Sequence, residues 1–307
     1  MSETNERPAG APAPPPAPDR VVVGVDGSPH SLRALDRAAD EAALRGTTLE
    51  VLCGGVPPRR SVVPETDSDR ERAREASREV AEAGAKRARE RKPELDVVAS
   101  GVAEAAPDAL VRASRTAALT VIGTRGRGGF RGLLVGSVSL RLAAHAAGPL
   151  LVVRGEEAEP PDRRRETVVG LKWAGATEPV RFAFEEAARD GSPLRVVHAW
   201  TYPTLPSISL KLPPKEPTEE SVRAEAFLRE TVAPFHRQYP DVPLTTEQHR
   251  GSTSEHLIEL SGNARVIVLG VRREHRRLGL QVGPVVNTVL QHARCSVALV
   301  PVPASTS

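Results

Sequence analysis

With 307 residues, the chain has the length of two ordinary domains, each able to bury a core of its own. An apolar fraction of 39% against 26% charged residues is that of a soluble globular protein, and no apolar run approaches the roughly 20 residues of a membrane helix. The net charge of +3 gives no footing for a nucleic-acid partner. The two cysteines, Cys53 and Cys295, form no Cys-x-x-Cys pair, which fits a reducing cytoplasm and not a disulfide scaffold or a zinc site.

Residues 1–19 are rich in Pro and Ala, lack the apolar core of a secretory signal, and read as a disordered leader. Short β-branched runs then mark five buried strands, at Val21–Val25, Leu49–Cys53, Asp96–Ala99, Thr120–Ile122 and Leu150–Val153. Between the first two, Leu32, Leu35, Ala39 and Ala42 share one helical face behind an N-cap Ser28 and a Pro29 at the first helical position. A second helix, Asp67–Arg91, is almost entirely charged or Ala. Its thin apolar stripe is read as Ala73, Ala76, Val80 and Ala83, and its alternating Glu and Arg as a solvated outer face.

The chain repeats itself. RVVVGVDGSPHSLRALDRAADEAALRGTTLEVL from Arg20 has its counterpart in TVVGLKWAGATEPVRFAFEEAARDGSPLRVVHAW from Thr167, with Gly24 facing Gly170. Later, Gly123 falls over Gly270, Gly136 over Gly283 and His145 over His292. Strands alternating with helices imply parallel strands covered on both faces. The predicted fold is therefore α/β, with two tandem doubly wound, five-stranded parallel-sheet domains of Rossmann-like type. The predicted boundaries are a first domain over 20–155, a charged, Pro-containing linker over 156–166, and a second domain over 167–303. Within the second, TYPTLPSISLKLPPKEP reads as a long exposed loop.

In such a sheet, ligands bind beyond the carboxyl ends of the strands. There the first domain runs Gly123-Thr124-Arg125-Gly126, nine residues, then Gly136-Ser137-Val138 opening a helix. Gly123 and Gly126 are expected to take positive φ and let the backbone approach a phosphate. Gly136, Ser137 and Val138 would present N–H groups and a hydroxyl at a positive helix end, and Arg125, Arg127 and Arg131 could screen phosphate charge.

Gly-x-x-Gly, nine residues, Gly-Ser after a β-branched strand resembles the nucleotide signature of the ATP-binding universal stress proteins. Asp26 in VVVGVDGS matches that family's Asp at the end of the first strand, near the adenosine. The resemblance covers Arg20 to Val302. It implies an adenine nucleotide alpha hydrolase-like fold, ATP with Mg²⁺ as ligand, Val51 and its neighbours beside the adenine, and a cytoplasmic stress or dormancy response. It also implies pairing through last strands, either between two chains as a homodimer or, here, as an intramolecular pseudo-dimer of Leu150–Val153 with Val297–Val300.

The second half departs from the motif. Lys172 replaces the Asp, Arg273 the second glycine and Pro284 the serine. Arg at a positive-φ position costs about 1 kcal/mol or more, and Pro removes an N–H, so this half is expected to have a degenerate nucleotide site. Its basic loop Val271–Leu280 reads as solvated. The chain offers no Gly-x-x-x-x-Gly-Lys-Ser/Thr loop and no recognisable nucleophile with its base. His145, His198, His236 and His292 are scattered and take no role. The reading is a non-catalytic, ATP-binding regulatory protein that signals to an unknown protein partner. A slow ATPase and a nucleotide-independent interaction scaffold are the alternatives.

Overall fold

The computed structural model describes residues 20–55, 66–126, 135–154, 166–172, 177–200, 219–272 and 282–302. The leader, nearly all of the linker, the Pro-rich loop after Trp200, Arg127, Arg131 and Arg273 lie outside the described residues. The first half runs β1 Arg20–Gly24, α1 Pro29–Arg45, β2 Thr48–Gly54, α2 Asp67–Arg91, β3 Val97–Val102, α3 Ala106–Ala113, β4 Leu119–Gly123, α4 Ser137–His145 and β5 Leu150–Val153. The second repeats the order: β6 Glu166–Leu171, α5 Thr177–Asp190, β7 Leu194–Trp200, α6 Glu219–Gln238, β8 Leu244–Arg250, α7 Thr253–Leu260, β9 Ala264–Arg272, α8 Pro284–His292 and β10 Ser296–Val302. Among the described residues no helix is long and apolar enough to cross a membrane.

Local sequence accounts for much of this. The Ser28 side chain accepts from the Ser31 N–H, Pro29 opens α1, and Gly46 closes it at φ 61°. On α2 the buried face differs from the predicted stripe. It is Ser77, Ala81, Gly84, Ala85 and Ala88, whereas Ala76 and Ala83 are exposed. With alanine on every side of the helix, apolar spacing cannot choose a face, and Ser77 tolerates burial because its hydroxyl donates to Ala73 O at 2.8 Å.

Each half forms a parallel sheet, ordered β3-β2-β1-β4-β5 in the first and β8-β7-β6-β9-β10 in the second. The two merge into one ten-stranded sheet because β5 pairs antiparallel with β10, Val152 opposite Val297 and Leu150 opposite Leu299. The last strands therefore pair within one chain. Helices α1, α2, α5 and α6 cover one face and α3, α4, α7 and α8 the other. Both cores run unbroken across the junction, with Leu151 and Ala298 on one side and Val152 and Val297 on the other.

Continuity of the first face brings α1 against α5 and buries a charge cluster there. Arg45 pairs with both Glu41 and Glu186, and Arg265 reaches Glu41 at 3.3 Å and also Asp190, while Arg37 and Arg189 close the two sides. The Glu41 side chain is 1% exposed, and those of Arg45 and Glu186 are each 7% exposed. Burial opposes ionisation of Glu41, but Arg37 and Arg45 overcome it and hold the carboxyl down at about 2. Burial and the neighbouring Glu41 push Glu186 up to about 7. From the other domain's side, Arg154 donates to the carbonyls of Ala293 and Leu290 at 2.9 and 2.7 Å and so caps the end of α8.

Removing Arg45 leaves two buried carboxylates without their shared cation, so Arg45→Ala is expected to lower stability by about 3–5 kcal/mol in urea unfolding. The two glutamates give opposite pH dependences. Glu186, raised above its ordinary 4.5, contributes fully below about pH 4.5 and loses that contribution as pH rises toward 7. Glu41, depressed, contributes above 4.5 and loses it as pH falls toward 2. Glu186→Gln should therefore gain stability relative to the wild type between pH 4.5 and 7, which unfolding curves at several pH values check.

A candidate nucleotide site at the carboxyl edge of the first domain

At the end of β1, Asp26, Gly27 and Ser28 form a tight turn into α1. Gly27 takes φ 76°, and the Asp26 Oδ1 accepts from the Ser28 N–H at 3.0 Å while its own N–H donates to Ser31 Oγ at 3.3 Å. The β4–α4 loop lies beside this turn. Gly136 N–H donates to Thr124 O at 2.7 Å, drawing the two ends of the loop together, and Ser139 Oγ donates to Gly123 O at 2.9 Å beneath them. α4 begins on a glycine N-cap with no side-chain cap hydrogen bond, so the first N–H groups of the helix, including those of the exposed Ser137 and half-buried Val138, face the loop cluster at its positive end. Arg125 is exposed.

The glycines matter for a reason other than the predicted one. Neither Gly123 nor Gly126 is in the left-handed region. What they supply is closeness. A Cβ on Gly126 would sit 2.5 Å from Asp26 Oδ2, and one on Gly123 would sit 2.6 Å from the carbonyl oxygen of His30. These two glycines therefore supply no positive-φ position, and Arg273, to which that cost was assigned, lies outside the described residues. In the first domain a side chain at the second glycine of the motif would have to displace the carboxylate of the first strand's Asp. In the second half both change, to Lys172 and Arg273.

Asp26, Gly123, Arg125, Gly126, Gly136, Ser137 and Val138 thus come together. Val51 does not join them. It is wholly buried in the middle of β2, with its Cγ1 toward Gly84 of α2, and the residues of β2 that reach the carboxyl edge are Cys53 and Gly54. A central β-branched strand residue reads the same whether it ends at the core or at the edge.

His30 was not predicted. Its Nδ1 accepts from Arg33 at 2.7 Å and lies 3.5 Å from Thr124 Oγ1. Burial and then the cations Arg33 and Arg125 lower its pKa against the pull of Asp26, which keeps the ring neutral at pH 7. Its place immediately after Asp-Gly-Ser-Pro was the available signal.

The corresponding corner of the second domain is built differently. Lys172 follows β6 and is exposed. Gly270 faces Pro179, whose Cγ would be 3.0 Å from an added Cβ, and Pro284 opens α8 behind Gly283. Because β5 and β10 are antiparallel, this corner lies on the opposite edge of the ten-stranded sheet. A cleft of about 1300 Å³ lies elsewhere again, at the amino ends of the first domain's strands, between Thr47, Asp96 and Pro149 and the α5 residues Glu178 and Arg181. It is rimmed by acids as well as bases and has no uncapped helix start among its first-domain residues, so the loop cluster suits an anion better.

The contact between Gly126 and Asp26 is testable without any ligand. Gly126→Ala is expected to displace the Asp26 carboxylate and weaken its bond to Ser28, costing about 0.5–1.5 kcal/mol. In the Asp26→Ala background the same change should cost measurably less, the coupling being read from a double-mutant cycle in urea.

A profile of the universal stress protein family matches residues 18–154 and 168–301. A universal stress protein of Mycolicibacterium smegmatis is 30% identical over 290 residues, spanning 91% of this chain and 96% of its own. One from Mycobacterium bovis is 32% identical over 292 residues, spanning 90% and 95%. Among solved structures, that of a universal stress protein from Archaeoglobus fulgidus superposes with a TM-score of 0.70, covering 92% of this chain and 98% of its own at 15% identity, a likeness of fold. The chain is a member of the universal stress protein family, with two family domains in tandem.

Proposed function

We propose that the first domain binds ATP at the corner between the Asp26 turn and the start of α4, and that the protein is a cytoplasmic, non-catalytic stress-response regulator whose nucleotide occupancy is read by a protein partner. The observation that carries this reading is the approach of Asp26 Oδ2 to within 2.5 Å of where a Cβ on Gly126 would sit, beside a helix start without a side-chain cap. A carboxylate at that point suits a ribose hydroxyl. The N–H groups of Ser137 and Val138, the Ser137 hydroxyl and Arg125 suit phosphate oxygens. Mg²⁺, which keeps several waters and takes one or two carboxylates besides phosphate, would ride on the phosphates with Asp26 the carboxylate offered by the cluster.

His30 is the one feature that favours a second reading, slow hydrolysis. It is a neutral imidazole beside Asp26 and Thr124, but Arg33 already donates to its Nδ1. In the favoured reading it positions the Gly123 turn.

Two substitutions import second-domain residues, Gly126→Arg and Ser137→Pro. The latter leaves the fold intact, since Pro at the first helical position displaces no intrahelical hydrogen bond and α8 already begins on Pro284. Calorimetric titration of Mg·ATP is expected to saturate at one equivalent per chain, with each variant weakened by at least about tenfold, or about 1.4 kcal/mol. Two equivalents would show an intact second site. Absence of heat and of thermal stabilisation would leave the nucleotide-independent scaffold. ATP turnover abolished by His30→Ala would establish the hydrolytic reading.

A further inference from the structure

The second domain carries a cluster with no counterpart in the first. On the edge strand β8, Glu247 and His249 point to the same face, the one covered by α7, and α7 brings His256 over them. One ligand atom from each of the three lies within 4.8 Å of the others. His256 Nε2 is 2.6 Å from Glu247 Oε1, and the two imidazoles stack with centroids 3.8 Å apart and planes 5° from parallel. Arg195 holds the other carboxylate oxygen of Glu247 at 2.9 Å and is itself tied to Glu166, while Glu259 lies 3.7 Å from His256 Nδ1.

The repeat shows that the fold does not require this cluster. Strand register sets Leu49 opposite Val97 in the first domain and Leu194 opposite Leu244 in the second. Counting from those pairs, Glu247 and His249 replace Ser100 and Val102, and counting from the helix N-caps, His256 replaces the buried Ala109. Three positions held by Ser, Val and Ala in one repeat carry Glu, His and His in the other.

We propose that Glu247, His249 and His256 form a binding site for a borderline divalent transition ion such as Zn²⁺, tying edge strand β8 to α7. Two imidazoles and a carboxylate select such an ion over Mg²⁺ or Ca²⁺. Bonds of about 2.0–2.2 Å place ligand atoms roughly 3.4 Å apart in a tetrahedron, so binding draws the three ligand atoms closer and turns the two imidazoles out of their parallel stack until both ring planes contain the ion. The bonds from Arg195 to Glu247 and the approach of Glu259 to His256 supply the outer contacts that orient metal ligands. Gly251, at φ 145°, folds the chain closely around the His249 ring, its Cβ position being 3.1 Å from Nε2. Three protein ligands leave one position for water or an exogenous ligand. The site needs no nucleotide and lies on the sheet edge opposite to the proposed ATP corner.

The test uses the tag-free full chain, freed of metal by chelation and titrated with Co²⁺ without nucleotide. Visible absorption is expected to saturate at one ion per chain and to be displaced by Zn²⁺. Binding should weaken at least tenfold in each of His249→Ala, His256→Gln and Glu247→Gln, and should be unchanged in His145→Ala, at an exposed position at the end of α4. Proton NMR of the wild type gives a readout independent of the variants' folding, because bound Co²⁺ should shift or broaden the ring protons of His249 and His256. Absence of saturable absorption, ring protons that do not respond, or binding that survives all three substitutions would each overturn the proposal and leave Glu247 and His256 as an ordinary hydrogen-bonded pair.

Discussion

The pairing of β5 with β10 constrains the rest of the molecule. A doubly wound sheet leaves its last strand with one edge unpaired, and such an edge invites association with other chains. Here two last strands satisfy one another inside a single chain, antiparallel, Val152 against Val297. Both faces of the sheet then continue across the junction, and the two hydrophobic layers become shared cores.

That arrangement has an electrostatic consequence. Once α1 and α5 lie side by side, Glu41 and Glu186 are brought together out of water, and only interleaved arginines make this tolerable. Arg45 is central because it serves both carboxylates. Burying ions in this way adds little stability over an apolar seam, but it penalises any misaligned docking of the domains, in which one of these charges would lose its partner.

The same antiparallel junction sends the carboxyl edges of the two domains in opposite directions, so each corner could diverge without disturbing the other. In the first, the carboxylate of Asp26 and the missing Cβ of Gly126 depend on one another. In the second, Lys172 and Arg273 occupy the matching positions. The edge strand of the second domain instead carries Glu247 and His249 under His256.

The repeat, the strand and helix order and the caps of α1 were all legible in the chain, because each is set by spacing along it: β-branched runs, Ser28 with Pro29, Gly46. The loop motif was legible for the same reason, its glycines being a fixed distance from a strand end and a helix start. The buried face of α2 was not, since alanines surround that helix. Nor was the burial of Val51, since an apolar strand residue looks alike at the core and at the edge. His30, the cluster of Glu41, Arg45 and Glu186, and the trio of Glu247, His249 and His256 depend on residues from different elements meeting in space. By itself, then, the sequence determined the family, the duplicated α/β plan and the position of the glycine-rich β4–α4 loop, which rest on local periodicity and backbone chemistry. Tertiary structure decided what a side chain at Gly126 would displace, which side chains share an environment, and which way each domain's carboxyl edge faces, because those depend on distances across the sheet that strand register and antiparallel docking alone impose.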